Sequence, residues 1–167
     1  WRWVVVRTEA GKRQIEASPQ VEVPLTSAPV VLICLADTSA WKTAPQQLQE
    51  MVIKKKISGE RAQEILRKIR EHYATSPEMA QRAALADAFV ALHQILMAAA
   101  ECNLSAYWLS VFNEQKIKTH FHIPDQFLVA ALLAIGFGEK PLPLAPELPL
   151  QSLVYQEKFG EAYSSRE

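Results

Sequence analysis

The sequence predicts a three-layer sandwich, α+β or α/β, in which helices cover both faces of a sheet. Two continuous apolar runs, 28–37 and 128–135, have the length of strands and lack the alternation of a half-exposed strand. The segments between them carry apolar residues at helical spacing. The helix predicted over 77–102 is apolar nearly all round, which is typical of a helix buried centrally or at a dimer seam. Doubly covered strands that alternate with helices predict a layered fold.

The length of 167 residues is that of one domain with a sizeable core, so residues 1–167 are predicted to form a single domain. Lys and Arg together number 18, as do Asp and Glu, which gives no indication of a nucleic-acid partner. No uninterrupted apolar run has the ~20 residues of a membrane span. Cys34 and Cys102 lie in apolar surroundings, which predicts buried thiols in a cytoplasmic protein.

The first elements are read from local composition. Trp3 to Val6 are aromatic and β-branched and predict a short buried strand, which Glu9-Ala10-Gly11 ends in a turn. The polar, proline-punctuated stretch 19–29 predicts a loop, and the strand at 28–37 follows it.

Three helices are predicted next. The first spans 44 to about 54, and the basic cluster that closes it, 54–56, suits a solvated helix end. Ser58 can cap the second helix, whose apolar stripe runs to Tyr73. Ser76-Pro77-Glu78 is a strong start signal for the third helix, 77–102.

The last elements are shorter. Residues 106–109 predict a strand, Asn113 caps a helix over 114–121, and Gly136-Phe137-Gly138 closes the strand 128–135 with a turn. The tail from 139 is rich in proline.

No side chain is identified as a catalytic acid, base or nucleophile, and the sequence has no Gly-x-Ser-x-Gly motif, no Walker loop and no Gly-x-Gly-x-x-Gly motif. His120 and His122 are the only close histidine pair; on a helix end their rings diverge, so no metal site is predicted. Any chemistry must therefore be a cofactor's. Asn103 can take the left-handed conformation after a helix. The stretch 110–113 joins a strand end to a helix start, where backbone N–H groups can meet a ligand or simply cap the helix.

Seven segments, in this order, resemble the nitroreductase family of FMN enzymes, and the resemblance spans essentially the whole chain. The first strand, Trp1 to Val6, resembles "Pro-Trp-Arg-Phe-Val-Val-Val". Residues 28–33 resemble the second strand of the family, and 91–99 resemble its central dimer helix. Residues 103–108 resemble the "Gly-Leu-Gly-Ser-Cys-Trp" turn, 123–125 the "Ile-Pro-Asp" motif and 135–137 the "Ile-Gly-Tyr" motif. Residues 143–155 resemble the C-terminal arm.

The resemblance implies an α+β fold: a three-layer α-β-α sandwich with a mostly antiparallel sheet and a long central dimer helix. It implies a homodimer that binds FMN at its interface, oxidises NAD(P)H and reduces a flat acceptor such as a quinone or nitroaromatic. It also implies flavin proximity for the backbones of Leu109, Ser110 and Val111, with Gly136 nearby and Trp1 at the cofactor edge.

The chain departs from the family pattern at several positions. Val111 stands where the family has glycine, and Ala145 and Glu147 stand where it has a basic pair that contacts the FMN phosphate. Family members also carry roughly forty residues before the position of Trp1, including basic residues for the phosphate, and we expect this segment to be missing from the sequence. The alternative is a nitroreductase-fold dimer with weakened or lost FMN binding that acts as a binding or regulatory protein.

Overall fold

The computed structural model describes residues 1–17, 21, 24–138 and 148–163. These residues form four strands in one sheet: β1, Arg2–Val6; β2, Val30–Asp37; β3, Ser105–Leu109; and β4, Phe127–Gly136. Their spatial order is β1-β2-β4-β3, and every neighbouring pair is antiparallel. The predicted α+β class and antiparallel sheet are therefore confirmed.

Five α-helices lie among the described residues: α1, Glu9–Glu16; α2, Ala44–Ile53; α3, Gly59–Tyr73; α4, Pro77–Glu101; and α5, Glu114–His120. Short 3-10 turns occur at Leu25–Ser27, Ala40–Thr43 and Leu150–Ser152. The first and last residues of helices α2 to α5 agree with the predicted bounds to within one residue.

The three layers follow from the two faces of β2. Val31, Ile33 and Leu35 of β2 face one hydrophobic core, which also contains Ile15 of α1 and Ile117 of α5. Cys34 and Ala36 face the opposite way and pack against the alanines and Leu92 of α4. Side chains of a strand alternate between faces, so one apolar strand holds both helical layers together. The predicted sandwich is confirmed.

Helix α1 corrects the prediction of a turn at Glu9-Ala10-Gly11. Thr8 caps this helix by accepting a hydrogen bond from the Gly11 N–H at 3.2 Å. A Cβ on Gly11 would lie 2.8 Å from Cγ1 of Val6, so glycine lets α1 pack closely on β1. The glycine that indicated a turn is needed for helix–strand packing.

Strand β1 is also less buried than predicted, because it forms an edge of the sheet. Val6 is buried, whereas Val5 is exposed. Arg2 to Val6 pair with β2 on one side only.

The prediction of buried thiols holds for Cys34 and is wrong for Cys102. Cys34 is fully buried, and burial raises the pKa of its thiol to about 11. Cys102 is exposed, because it is the C-cap residue where α4 ends.

Helix α4 ends in a Schellman motif, which confirms the left-handed conformation expected of Asn103. Asn103 has a φ of 54°. The Asn103 N–H donates to Ala100 O at 3.0 Å, and the Leu104 N–H donates to Ala99 O at 2.9 Å. This turn leads directly into β3.

Candidate functional site

The end of β3 holds three of the predicted cofactor-binding residues. Leu109 is buried and pairs with Leu132, the last pairing between β3 and β4. Ser110 and Val111 follow it and are exposed. Within the described part of the chain, neither of their backbone N–H groups donates a hydrogen bond. Two backbone donors are therefore available to an acceptor-rich ligand at this point.

Val111 fits this position without backbone strain. Among the described residues, the non-glycine positions with positive φ are Lys55, Asn103, His122 and Glu157. Val111 is not one of them, so its β-branched side chain does not have to adopt a left-handed backbone. The two other departures from the family pattern, Ala145 and Glu147, lie outside the described residues.

Trp1 lies at the same end of the sheet as Ser110, but on the opposite edge. It precedes β1, and its ring centroid is 6.3 Å from that of Trp3. Strands β1 and β3 are separated by β2 and β4, so the two edges are about 14 Å apart. One protomer does not bring Trp1 and Ser110 into contact range.

Gly136 lies at the other end of β4. It pairs with Ser105, the first residue of β3, and is therefore about 13 Å along the ladder from Leu109. A Cβ on Gly136 would be 2.5 Å from Cδ of Pro29, which explains glycine here by close packing. The five predicted positions thus form one contiguous group, Leu109 to Val111, and two separate positions.

A cleft of about 550 Å³ opens beside Trp1, between the sheet and helices α2 to α4. Its walls include Asp37, Trp41, Tyr73 and Asp87. Asp37 is buried, and its Oδ1 accepts hydrogen bonds from the Ser39 N–H at 3.0 Å and the Ser39 hydroxyl at 2.8 Å. Sequence reasoning missed this cleft, because its residues come from six separate elements.

The described residues contain no cluster of three or more His, Cys, Asp or Glu side chains that could hold a metal ion. His120 is the last residue of α5, and His122 has a φ of 52° beyond it.

An apolar surface runs along α4 and onto β3. On α4, Val90 is 61% exposed and Met97 is 53% exposed. The Phe89 ring on α4 lies 5.6 Å from the ring of Trp108 on β3, which is itself half exposed. Helix α4 thus has one face in the core and another that is apolar and open.

Helix α4 is also long and apolar enough to cross a membrane, judged by length and composition alone. Polar residues interrupt its apolar run, which is why no uninterrupted stretch of that length is visible in the sequence. A buried core face of this kind also occurs in helices of soluble proteins, so the observation is weak evidence for a membrane span.

Comparison with known proteins identifies the family. The model of the nitroreductase family matches residues 1–138. The chain therefore belongs to the nitroreductase family, and the resemblance seen in the sequence is confirmed.

Three relatives illustrate the range of the match. A protein of Thermus thermophilus named NADH dehydrogenase is 27% identical over 155 residues, which cover 92% of this chain and 74% of that protein. A Bacillus subtilis protein with the provisional name NAD(P)H nitroreductase YodC is 22% identical over 153 residues, covering 92% of this chain and 75% of that protein. A provisionally named nitroreductase of Exiguobacterium sibiricum, solved in complex with FMN, has the same fold. Its TM-score is 0.81 at 17% identity, and the match covers 94% of this chain and 76% of that structure.

Proposed function

We propose that this chain is part of an FMN-dependent oxidoreductase that passes electrons from NAD(P)H to a flat organic acceptor such as a quinone or nitroaromatic. The family match supports the reaction class, and the FMN complex of the Exiguobacterium relative supports the cofactor. The names of the Thermus and Bacillus relatives support a nicotinamide donor. The observation that carries the proposal within this chain is the pair of available N–H groups at Ser110 and Val111.

Bound FMN would supply the two-electron redox chemistry that links NAD(P)H to the acceptor. The chain's own contribution is binding and electrostatic stabilisation. Backbone N–H groups at Ser110 and Val111 would donate to acceptor atoms of the flavin ring, where they stabilise negative charge as it develops. The exposed Trp1 ring would offer a flat apolar surface at the cofactor edge.

We further propose a homodimer with the flavin at its interface, in the cytoplasm. Within one protomer, Trp1 is about 14 Å from β3 across the sheet and Gly136 about 13 Å from Leu109 along it, a separation that favours a site completed by a second copy. The open apolar face of α4 and β3 supplies a surface for that contact.

The test is the visible absorbance spectrum of the purified full-length protein, before and after heat release of bound ligand. A yellow protein that releases about one flavin per chain supports the proposal. A colourless protein that also fails to take up added FMN contradicts it, and favours the alternative of a dimer that has lost its flavin.

A matched pair of variants at one position tests the backbone donors. Ser110→Pro removes the N–H and is expected to weaken FMN binding about tenfold. Ser110→Ala keeps the N–H and is expected to bind FMN as the wild type does. Equal affinities in the two variants would show that this N–H does not contact the cofactor.

A further inference from the structure

Strand β4 contains an irregularity close to the end of β3. Cys34 of β2 pairs with Ala131, but the next residue, Leu35, pairs with Val129, so Ala130 is an extra residue, as in a β-bulge. The ladder between β3 and β4 stops at Leu109 and Leu132. Val129 therefore lies beyond the last partner that β3 offers. Val129 is only 6% exposed, so water cannot readily accept a hydrogen bond from its N–H group.

Glu114 supplies the missing acceptor. Its Oε1 accepts a hydrogen bond from the Val129 N–H at 2.9 Å. Glu114 is half-buried and is the first residue of α5. A carboxylate acceptor makes a stronger hydrogen bond than a neutral carbonyl. The side chain thus replaces a strand neighbour at the bulge.

This bond holds the stretch 110–113 at both ends against the same strand. At one end Leu109 pairs with Leu132, and at the other Glu114 bonds to Val129. The two anchor points on β4 are three residues apart, or about 10 Å. Helix α5 is fixed as well, because Ile117 is buried in the core. The backbone between the anchors carries the available N–H groups of Ser110 and Val111.

We infer that Glu114 is a positioning residue, which holds the backbone of Ser110 and Val111 in the conformation that binds the flavin. Its role towards the flavin rests on the proposed function; its role in ordering the stretch 110–113 can be tested without any cofactor.

The first measurement is amide hydrogen exchange on the cofactor-free, full-length protein. Glu114→Ala is expected to raise the exchange rate of the Val129 N–H by at least about tenfold. It is also expected to lower the backbone NMR order parameters of residues 110–113, which report their mobility whether or not their N–H groups are bonded. Glu114→Gln keeps an oxygen that can accept the bond and should restore most of the protection. Lys118→Met is the matched control, because Lys118 Nζ anchors the far end of α5 by donating to Asp125 O at 3.3 Å. It should leave residues 110–113 unchanged.

Two results would overturn the ordering role. One is unchanged order parameters at residues 110–113 in Glu114→Ala. The other is a wild-type Val129 N–H that exchanges as fast as the exposed Ser110 N–H. The second result needs no variant, so the inference stays testable if Glu114→Ala does not fold.

The second measurement is the Kd for FMN, made at a temperature where all variants are folded. We expect Glu114→Ala to bind FMN about tenfold more weakly, and Glu114→Gln and Lys118→Met to bind it as the wild type does. Wild-type affinity in a Glu114→Ala protein with raised exchange would overturn the link to the flavin. A wild type that binds no FMN would instead contradict the proposed function, while the exchange data would still decide the ordering role.

Discussion

Gly136 shows how a single residue can have two explanations that a variant separates. The family resemblance places this glycine near the flavin, whereas the structure explains it by the Pro29 ring. Proximity to the flavin and packing against Pro29 could each require the absence of a side chain at position 136. The packing explanation predicts a loss of stability even when no cofactor is present.

Gly136→Ala is accordingly expected to lower the free energy of unfolding of the cofactor-free protein by about 1–3 kcal/mol, because a Cβ cannot fit 2.5 Å from Pro29 Cδ. Urea denaturation measures this change. Gly59→Ala is the matched control, since a Cβ there meets no atom within 4 Å. It should leave stability unchanged or raise it by up to about 1 kcal/mol. Equal midpoints for the two variants would contradict the packing explanation.

Cys34 predicts a specific pH dependence of stability. Its Sγ lies 3.7 Å from Ala88 O, and burial raises its pKa from 9.0 to about 11. The folded state therefore keeps the thiol proton where the unfolded state loses it. This contribution is fully present below pH 9 and is lost as the pH rises from 9 to about 11.

Denaturation midpoints across this pH range, compared with those of Cys34→Ala, test the effect. The wild type should lose stability more steeply than the variant, by at most ~1.4 kcal/mol per pH unit. Parallel curves for the two proteins would show that the thiol is not protected as the structure indicates.

At the scale of the element, helix α4 has two apolar faces, one in the core and one exposed. Its alanines and Leu92 pack on β2 and β4 in the core. The opposite face exposes Val90 and Met97, and apolar side chains gain most when such a face is covered.

Val90→Glu is expected to convert a dimer into a monomer, because it would place a charge inside the proposed seam. Light scattering of the full-length protein at micromolar concentration measures the change. Ile53→Glu is the control, since Ile53 is an exposed apolar residue at the end of α2. A monomeric wild type would refute the seam, and so would a dimer that tolerates Val90→Glu.

At the scale of the whole molecule, FMN should stabilise the fold by linkage. A ligand at one hundred times its Kd adds about 2.7 kcal/mol to the free energy of unfolding. For a domain of this size, we expect Tm to rise by about 5–10 °C. Riboflavin, which lacks the phosphate, should give a smaller rise at the same concentration. An unchanged Tm with FMN would contradict binding to the folded protein.

Much of this molecule could be predicted from its sequence, and the rest depends on tertiary contacts. The helix-start pattern at Ser76-Pro77 predicted α4, and the two continuous apolar runs predicted β2 and β4. Helix α1 was missed because Gly11 weakens a helical pattern and its reason, contact with Val6, is not local. The bulge at Ala130 was missed because both faces of β4 are apolar, so no alternation marks the change of register. The separation of Trp1 from Ser110 depends on strand order, which local pattern does not contain.

The two cysteines differ in exposure, so this protein has one natural site for a thiol-reactive label. Only two cysteines are present in the sequence; Cys34 is buried with a raised pKa, and Cys102 is exposed at the end of α4. A maleimide spin label should react at Cys102 and leave Cys34 untouched, because the thiolate is the reactive form. In the proposed dimer, two such labels would report the distance between subunits by electron paramagnetic resonance, with no cysteine engineered into or out of this sequence.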